Sequence, residues 1–289
     1  MELKTAMPTN IPPQEQQHQP GSEMQMDPQP IYDNDDPGYG RLRGKVAIIT
    51  GGDSGIGKAV AILFAKEGAE VAIVYLDEHD DARQTADIIK ERYDKSVLLI
   101  AADLRSEENN KQAIQQTIDA FGHLDIVVNN AAVQYPQQSV EDISEEQLRN
   151  TFETNIFSQF YLVKHALPYL KEGSSIINTT SVTAYKGNET LIDYSSTKGA
   201  IVSYTRSLAQ SLIKKGIRVN AVAPGPVWTP LIPSSFDGER VASFGKDLDY
   251  QRPAQPVEIA PCYVFLAGKD GAFMNGQVLH PNGGSIING

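Results

Sequence analysis

The sequence has one cysteine, Cys262, in 289 residues. An internal disulfide is therefore excluded, and the chain fits a reducing compartment. No apolar run approaches the roughly 18 residues of a membrane span, and no basic-then-apolar signal pattern opens the chain. A soluble, cytoplasmic protein is expected, with no membrane partner. Positive charge is also short: 25 Lys and Arg stand against 36 Asp and Glu, a formal net charge of −11. Nucleic acid and anionic membranes need a basic face, so neither is expected as a partner. The five histidines (His18, His79, His123, His165, His280) are scattered without metal-ligand spacing, and no metal is assigned.

Large apolar groups are scarce in residues 1–40, which hold seven prolines, six glutamines and seven acidic groups against the single base Lys4. Such a stretch buries too little to offset chain entropy, so a disordered or loosely docked tail is expected. Ile31, Tyr32 and Tyr39 are the groups that could dock its end. No linker-like composition divides residues 41–289, which are expected to form a single Rossmann-type domain.

From Lys45 onward, short apolar runs alternate with segments of helical periodicity. Strands are expected at residues 46–50, 71–75, 97–101, 124–129, 175–180, 218–223 and 277–280. Helices are expected at 56–67, 81–93, 106–121, 144–170, 194–213 and 257–267. Asp80 or Asp81 would cap the second helix, and Ser144-x-x-Gln147 has the form of a capping box. Nearly all-apolar strands alternating with helices imply an α/β fold: a doubly wound, about seven-stranded parallel sheet flanked by helices.

The run Thr50-Gly51-Gly52-Asp53-Ser54-Gly55-Ile56-Gly57 falls between the first strand and the first helix. Glycines there let the backbone approach a pyrophosphate, whose charge meets the free amides of a helix N-terminus. The same letters elsewhere would mark an ordinary tight turn.

Tyr194-Ser195-Ser196-Thr197-Lys198 sets a phenol and an ammonium at i and i+4, on one helix face roughly 6 Å apart along the axis. An ammonium beside a phenol favours phenolate, which gives a proton-transfer group near neutral pH. The pair alone is weak. It gains weight because it begins the helix after the fifth strand, with Ser181 thirteen residues upstream at that strand's carboxyl end. Ligands of open α/β sheets bind at that edge.

The glycine run, Asn129-Asn130-Ala131-Ala132, Ser181, the Tyr194/Lys198 pair and Pro224-Gly225 follow the order and approximate spacing of the short-chain dehydrogenase/reductase family, which the chain resembles over residues 41–289. The Pro/Gln-rich tail, Asn178-Thr179-Thr180-Ser181 and residues 223–230 resemble the general-stress-protein branch of Bacillus. The resemblance implies an NAD(P)-dependent oxidoreductase acting on CH–OH groups, with a small alcohol or carbonyl substrate and a homotetrameric assembly. In it Tyr194 is the acid/base, Lys198 lowers the phenol's pKa and holds the nicotinamide ribose, and Ser181 holds the substrate oxygen. Asn155 supports a water-linked proton relay. The implied cofactor contacts are Gly51, Asp53, Ser54, Gly55, Ile56 and Gly57, then Tyr75, Leu76, Asp103, Leu104, Asn130 and Ala131. Tyr194, Lys198, Pro224, Gly225, Val227 and Thr229 complete the set. Two departures stand out: Ala132 replaces the customary glycine, and Pro281-Asn282-Gly283-Gly284 replaces a customary Val-Asp-Gly-Gly.

Tyr75-Leu76-Asp77-Glu78, at the end of the second strand, carries no base, and the glycine turn adds the acid Asp53. Carboxylates repel a 2′-phosphate, so NAD is favoured and NADP is the second candidate, with Lys58 expected to point along its helix. Asp103 could instead cap the helix that follows. Residues 227–252 are expected to cover the substrate with Trp228, Leu231, Ile232, Phe236 and Phe244, as an apolar and mobile lid. Gln134, Tyr135, Tyr185 and Asn188 are further candidates for the pocket wall. An epimerase or dehydratase reading is disfavoured by the short segment after Pro224. A catalytically weak nucleotide-sensing stress protein is the alternative from another class.

Overall fold

A computed structural model describes residues 7–34 and 36–285. Glu2, Lys4, Asp35 and the last four residues lie outside the described residues. Seven parallel strands form one sheet: β1 (Val46–Thr50), β2 (Glu70–Tyr75), β3 (Val97–Ala101), β4 (Ile126–Asn129), β5 (Ser175–Thr179), β6 (Arg218–Val222) and β7 (Val278–Leu279). Their order is β3-β2-β1-β4-β5-β6-β7, so the chain reverses direction across the sheet between β1 and β4. The helices are α1 (Gly55–Lys66), α2 (His79–Tyr93), α3 (Glu107–Phe121), α4 (Glu145–Phe152), α5 (Ser158–Ala166), α6 (Thr183–Lys186), α7 (Ile192–Leu212), α8 (Gly238–Ser243) and α9 (Pro256–Ala267). This is the expected doubly wound Rossmann-like architecture.

Period-two alternation in the strands sends successive side chains to opposite faces and builds two cores. Ala47, Ile49, Val71 and Ile73 face α1 and α9, where Phe64 and Tyr263 are buried. Val46, Ile48, Ala72 and Val74 face α3, α5 and α7, where Ile114, Leu162 and Leu212 are buried. With both faces covered, every residue of β1, β4, β5 and β6 is buried.

The long helix expected over residues 144–170 is interrupted. Between α4 and α5 the chain makes a π-helical turn at Glu153–Phe157, which places Asn155 against the β4 loop. Ser144 caps α4 by accepting from the Gln147 amide, but the Gln147 side chain does not return the bond that a capping box requires. Its amide donates to Asp193 instead, beside Tyr194. Asp80 and Asp81 sit inside the first turn of α2 and do not cap it. The short helices α6 and α8 have too few residues to show a period in the sequence.

The described part of the first forty residues lies against the domain instead of standing off in solvent. It has little structure of its own beyond a 3₁₀ turn at Glu23–Gln25. Ile11 and Met26 bury with Trp228, Ile232 and Val241, and the Trp228 indole donates to the Pro28 carbonyl at 2.8 Å. The Ile31 amide donates to the Gln255 side-chain oxygen and its carbonyl accepts from the Val257 amide; Tyr32 packs on the sheet core, and Tyr39 is exposed. Asp33 accepts from Lys66, Arg92 and Tyr93. Composition measures what a segment can bury within itself, whereas this arm uses apolar surface and charges supplied by the domain.

Trp228 is the only tryptophan and is fully buried beneath the arm, so its fluorescence reports docking. Ile11→Asp would force a carboxylate into that apolar cluster, which is costly for an unpaired charge. The expected result is a red-shifted Trp228 emission with far-ultraviolet circular dichroism retained. An unshifted emission would show that the arm does not cover the indole.

Candidate active site

The glycine turn is fixed by steric limits and by a buried polar ladder. Gly51 and Gly55 stand at φ +62° and +53°, and a Cβ at Gly57 would fall 1.8 Å from the Gly51 carbonyl oxygen. Only glycine fits that close approach of α1 to the turn. From the neighbouring strand end, the Asn130 amide donates to the Thr50 and Gly51 carbonyls at 3.1 and 3.2 Å. The Thr50 hydroxyl accepts from the Asn130 and Ala131 amides. Asn129 donates to Asn178, and Asn178 donates to Thr205 of α7. These bonds tie together the carboxyl ends of β1, β4 and β5, the edge from which the site projects.

Tyr194 and Lys198 lie on one face of α7, with the lysine nitrogen 5.2 Å from the phenol ring centroid. Lys198 Nζ donates to the Thr179 carbonyl at 3.0 Å, and the Thr180 hydroxyl donates to the Lys198 carbonyl at 2.7 Å. The start of α7 is braced by Asp193, which accepts from Thr151 and Gln147 through its carboxylate and from the Tyr194 amide. Burial dominates the electrostatics. It pushes the Tyr194 phenol up to about 12, with the Ser181 hydroxyl drawing it back. The same burial brings the Lys198 ammonium down to about 7. Burial thus holds the phenol above its ordinary range and the ammonium below its own, because desolvation opposes the charged form of both groups.

Asn155 is buried behind this pair. Its side chain accepts from the Val133 amide at 2.8 Å and donates to the Val133 carbonyl and the Thr197 hydroxyl. It touches neither Tyr194 nor Lys198 through these bonds and acts as a brace between the π-helical turn and the β4 loop.

A cavity of about 850 Å³ runs along this edge of the sheet. At its glycine-turn end lie Gly51, Asp53, Ser54, Gly55 and Ile56; along it lie Tyr75, Leu76, Asp103, Leu104, Asn130 and Ala131. Ser181, Tyr194 and Lys198 share its wall with Pro224, Gly225, Val227 and Thr229. Every expected site residue therefore meets in one groove except Gly57 and Asn155, which support it from behind. Gln134, Tyr135 and Asn188 line the wall as expected, but Tyr185 does not, its ring packing edge-on against His280. Of the expected cover, Leu231, Ile232, Phe236 and Phe244 reach the cavity, whereas Trp228 belongs to the cluster under the arm. The cover is also strapped down: the Gln16 amide donates to the Pro233 carbonyl, and Gln19 bonds the Gln134 and Ser234 backbones.

Beside Tyr75 and Leu76, the charges differ from their expected arrangement. Of the three carboxyls expected to repel a 2′-phosphate, Asp77 and Glu78 are not part of the cavity wall, and Asp53, which is, is pushed up to about 7 by burial. Asp103 does not cap α3, a role taken by Ser106; its carboxylate instead accepts from Arg105, which also lines the cavity. Lys58, expected to point along its helix, is buried against Glu23. Gln19-Pro20-Gly21, Glu23, Arg105 and Asp193 were not singled out from the sequence. Asp193 had a signal in its place next to Tyr194, but Glu23 had none.

Among the described residues, no group of three or more His, Cys, Asp or Glu could hold a metal ion. The donor set fits a dinucleotide: a glycine cradle that a Cβ would fill, the helix start of α1, and a groove leading to a buried phenol and ammonium. Gly225 completes the far wall, where a Cβ would lie 2.8 Å from the Cα of Asn282, so the unusual Pro281-Asn282-Gly283-Gly284 segment packs onto the Pro224-Gly225 turn.

Comparison with known proteins agrees. The family model described as enoyl-(acyl carrier protein) reductase matches residues 51–285. General stress protein 39 of Bacillus subtilis is 55% identical, over 97% of this chain and 98% of its own. Glucose and ribitol dehydrogenase of Daucus carota is 54% identical, over 96% and 98%. The chloroplastic NADPH-dependent aldehyde reductase 1 of Arabidopsis thaliana is 52% identical, over 95% and 98%. A short-chain dehydrogenase from Burkholderia cenocepacia, solved with NADP, superposes with a TM-score of 0.79 at 31% identity, over 84% of this chain and 98% of its own. A 3-ketoacyl-(acyl-carrier-protein) reductase from Brucella melitensis, solved with NADH, has a TM-score of 0.77 at 31% identity, over 84% and 98%. Sequence, fold and the geometry of the groove converge: the chain belongs to the short-chain dehydrogenase/reductase family of oxidoreductases.

Proposed function

We propose that this oxidoreductase interconverts a small polar carbonyl compound and its alcohol, with Tyr194 as the proton-transfer group and NAD favoured over NADP. The observation that carries the reading is the convergence of the Tyr194 phenol, Ser181 and Lys198 on the wall of one groove. The nicotinamide dinucleotide, when bound, supplies or accepts the hydride. Residues of this chain do the rest. Gly51, Ser54, Gly55 and Ile56 hold the pyrophosphate, and Lys198 holds the nicotinamide ribose. Ser181 donates a hydrogen bond to the carbonyl oxygen and stabilises charge developing there. In reduction Tyr194 passes its phenolic proton to that oxygen; in oxidation the phenolate takes it back.

Gln134, Tyr135 and Asn188 place amide and phenol side chains in the wall, whereas the Gln19 amide is bonded to the Gln134 backbone. Such donors and acceptors suit a substrate with its own hydroxyls, and the activity in the name of the Daucus carota relative supports the same class. The cofactor preference rests on the second strand's end. Arg105 lines the cavity with Tyr75 and Leu76, and the Asp103 carboxylate holds it. The single cysteine supports placement in the cytoplasm. Exposed Phe157 and Phe160, the latter stacked on Tyr204 of α7, support the homotetramer that the family implies.

The test is a panel of aldehydes, ketoses and polyols with NADH and NADPH. Tyr194→Phe is expected to lower kcat by about 10²–10⁴-fold with little change in NADH affinity. Equal turnover by the variant would reject the assignment and favour a different proton donor; binding without turnover of any compound would favour the nucleotide-sensing alternative. Because burial raises the phenol, Tyr194 is protonated at neutral pH. Reduction should therefore persist from neutral into mildly alkaline solution, while oxidation rises with pH as phenolate forms. Leu76→Arg should move the NADP-to-NAD ratio of kcat/KM upward by about tenfold, since an arginine there meets the 2′-phosphate. An unchanged ratio would place the ribose elsewhere. Light scattering should give four times the chain mass, and a monomer would refute the assembly.

A further inference from the structure

The first turn of α1 is capped from outside its own neighbourhood. Ser54 is the N-cap residue, but its side chain makes no cap bond. The Gly55 amide instead donates to Glu23 Oε2 at 2.8 Å, a carboxylate brought in by the arm from 32 residues upstream. The other oxygen of Glu23 accepts from Lys58 Nζ at 2.5 Å, and both side chains are 0% exposed. Lys58 also donates to Gln84 of α2 and lies 4.2 Å from the centroid of the Tyr32 ring. Asp81 of α2 fixes Glu23 by accepting from its backbone amide at 2.6 Å. On the same rear side, the Thr85 hydroxyl donates to the Asp53 carbonyl at 2.8 Å.

We infer that Glu23 is a positioning residue for the dinucleotide: by capping α1 at Gly55 from behind, it holds the glycine turn in its binding shape and frees Ser54 to face the groove. The inference rests on the reading of that groove as a nicotinamide dinucleotide site. The division of labour follows from the geometry. A helix start has about four amides without an internal partner, and an N-cap side chain normally takes one of them. Here the carboxylate takes the Gly55 amide. The next amide, of Ile56, is left for a ligand, with Ser54 and Ile56 in the cavity wall and the Ser54 side chain bonded to the Asp53 carboxyl. Lys58 cancels the charge of Glu23, so the positive end of α1 still meets an anion. Gln19, Pro20 and Gly21, just before Glu23, line the same cavity. The arm is thereby a part of the site and not an appendage.

Removing Glu23 alone would strand a buried ammonium and threaten folding, so the test removes both charges. In Glu23→Ala/Lys58→Met the capping oxygen is gone; in Glu23→Gln/Lys58→Met an amide oxygen remains to accept from Gly55. Equilibrium binding of NADH is followed by its fluorescence, and circular dichroism checks each fold. The alanine double variant should bind NADH about tenfold more weakly, the order expected for a lost cap. Its KM for the dinucleotide should rise while kcat at saturation stays near that of the parent. The glutamine double variant should recover most of the affinity. Equal affinity in all three chains, or equal loss in both double variants, overturns the inference. Failure of the parent chain to bind either NADH or NADPH would instead overturn the dinucleotide reading itself.

Discussion

Removal of water from the Tyr194–Lys198 corner is the constraint around which the site is organised. A buried phenol resists ionisation and a buried amine resists protonation, so each group is shifted toward the neutral form. The same dryness puts a demand on nearby polar atoms to find a protein partner, which the buried Thr183 and Ser195 hydroxyls leave unmet. Thr179, Thr180, Asn130 and Asp193 meet that demand through bonds to Lys198, α9, the glycine turn and the α4 helix. These bonds hold the start of α7 against the end of β5 and against α4. A parallel sheet supplies the place, since it gathers the carboxyl ends of all its strands along one edge, and the reversal between β1 and β4 opens the groove there.

The fold was legible because burial on two faces leaves a plain record in sequence. Val46–Thr50 and Glu70–Tyr75 are almost wholly apolar, and Gly51 and Gly68 break the runs that flank α1. The cradle was legible for a similar reason, because Gly51, Gly55 and Gly57 answer a steric demand that other residues fail. What remained hidden was the use made of polar groups. Gln147 has the position of a capping-box residue, yet its amide serves Asp193, and nothing local could show that preference. Asp103 suits an adenine contact by position, yet Arg105 two residues away claims its carboxylate. Lys58 has no local partner that the sequence could show, and only the fold brings Glu23 to it.

The arm is the largest difference between composition and structure. Seven prolines and six glutamines in residues 1–40 give little self-burial. Docking succeeds because the domain offers a cleft beside Trp228 and a set of cations, Lys58, Lys66 and Arg92, that accept the arm's Glu23 and Asp33. The Burkholderia cenocepacia and Brucella melitensis structures each match 84% of this chain, whereas General stress protein 39 matches 97% of it. The arm therefore lies largely within the match to that relative. A site that borrows a wall and a helix cap from such a segment ties docking of the arm to the shape of the cofactor groove, and through Gln16 and Gln19 to the cover over the substrate end.

The most direct measurement is a crystal structure of this chain with bound dinucleotide. The account predicts the pyrophosphate on the Gly51–Gly57 turn, the Lys198 amine on the nicotinamide ribose, and the Tyr194 and Ser181 oxygens converging on one point beside the nicotinamide ring. A dinucleotide bound with Lys198 turned away from both the Tyr194 oxygen and the ribose, or seated outside the groove, would contradict it.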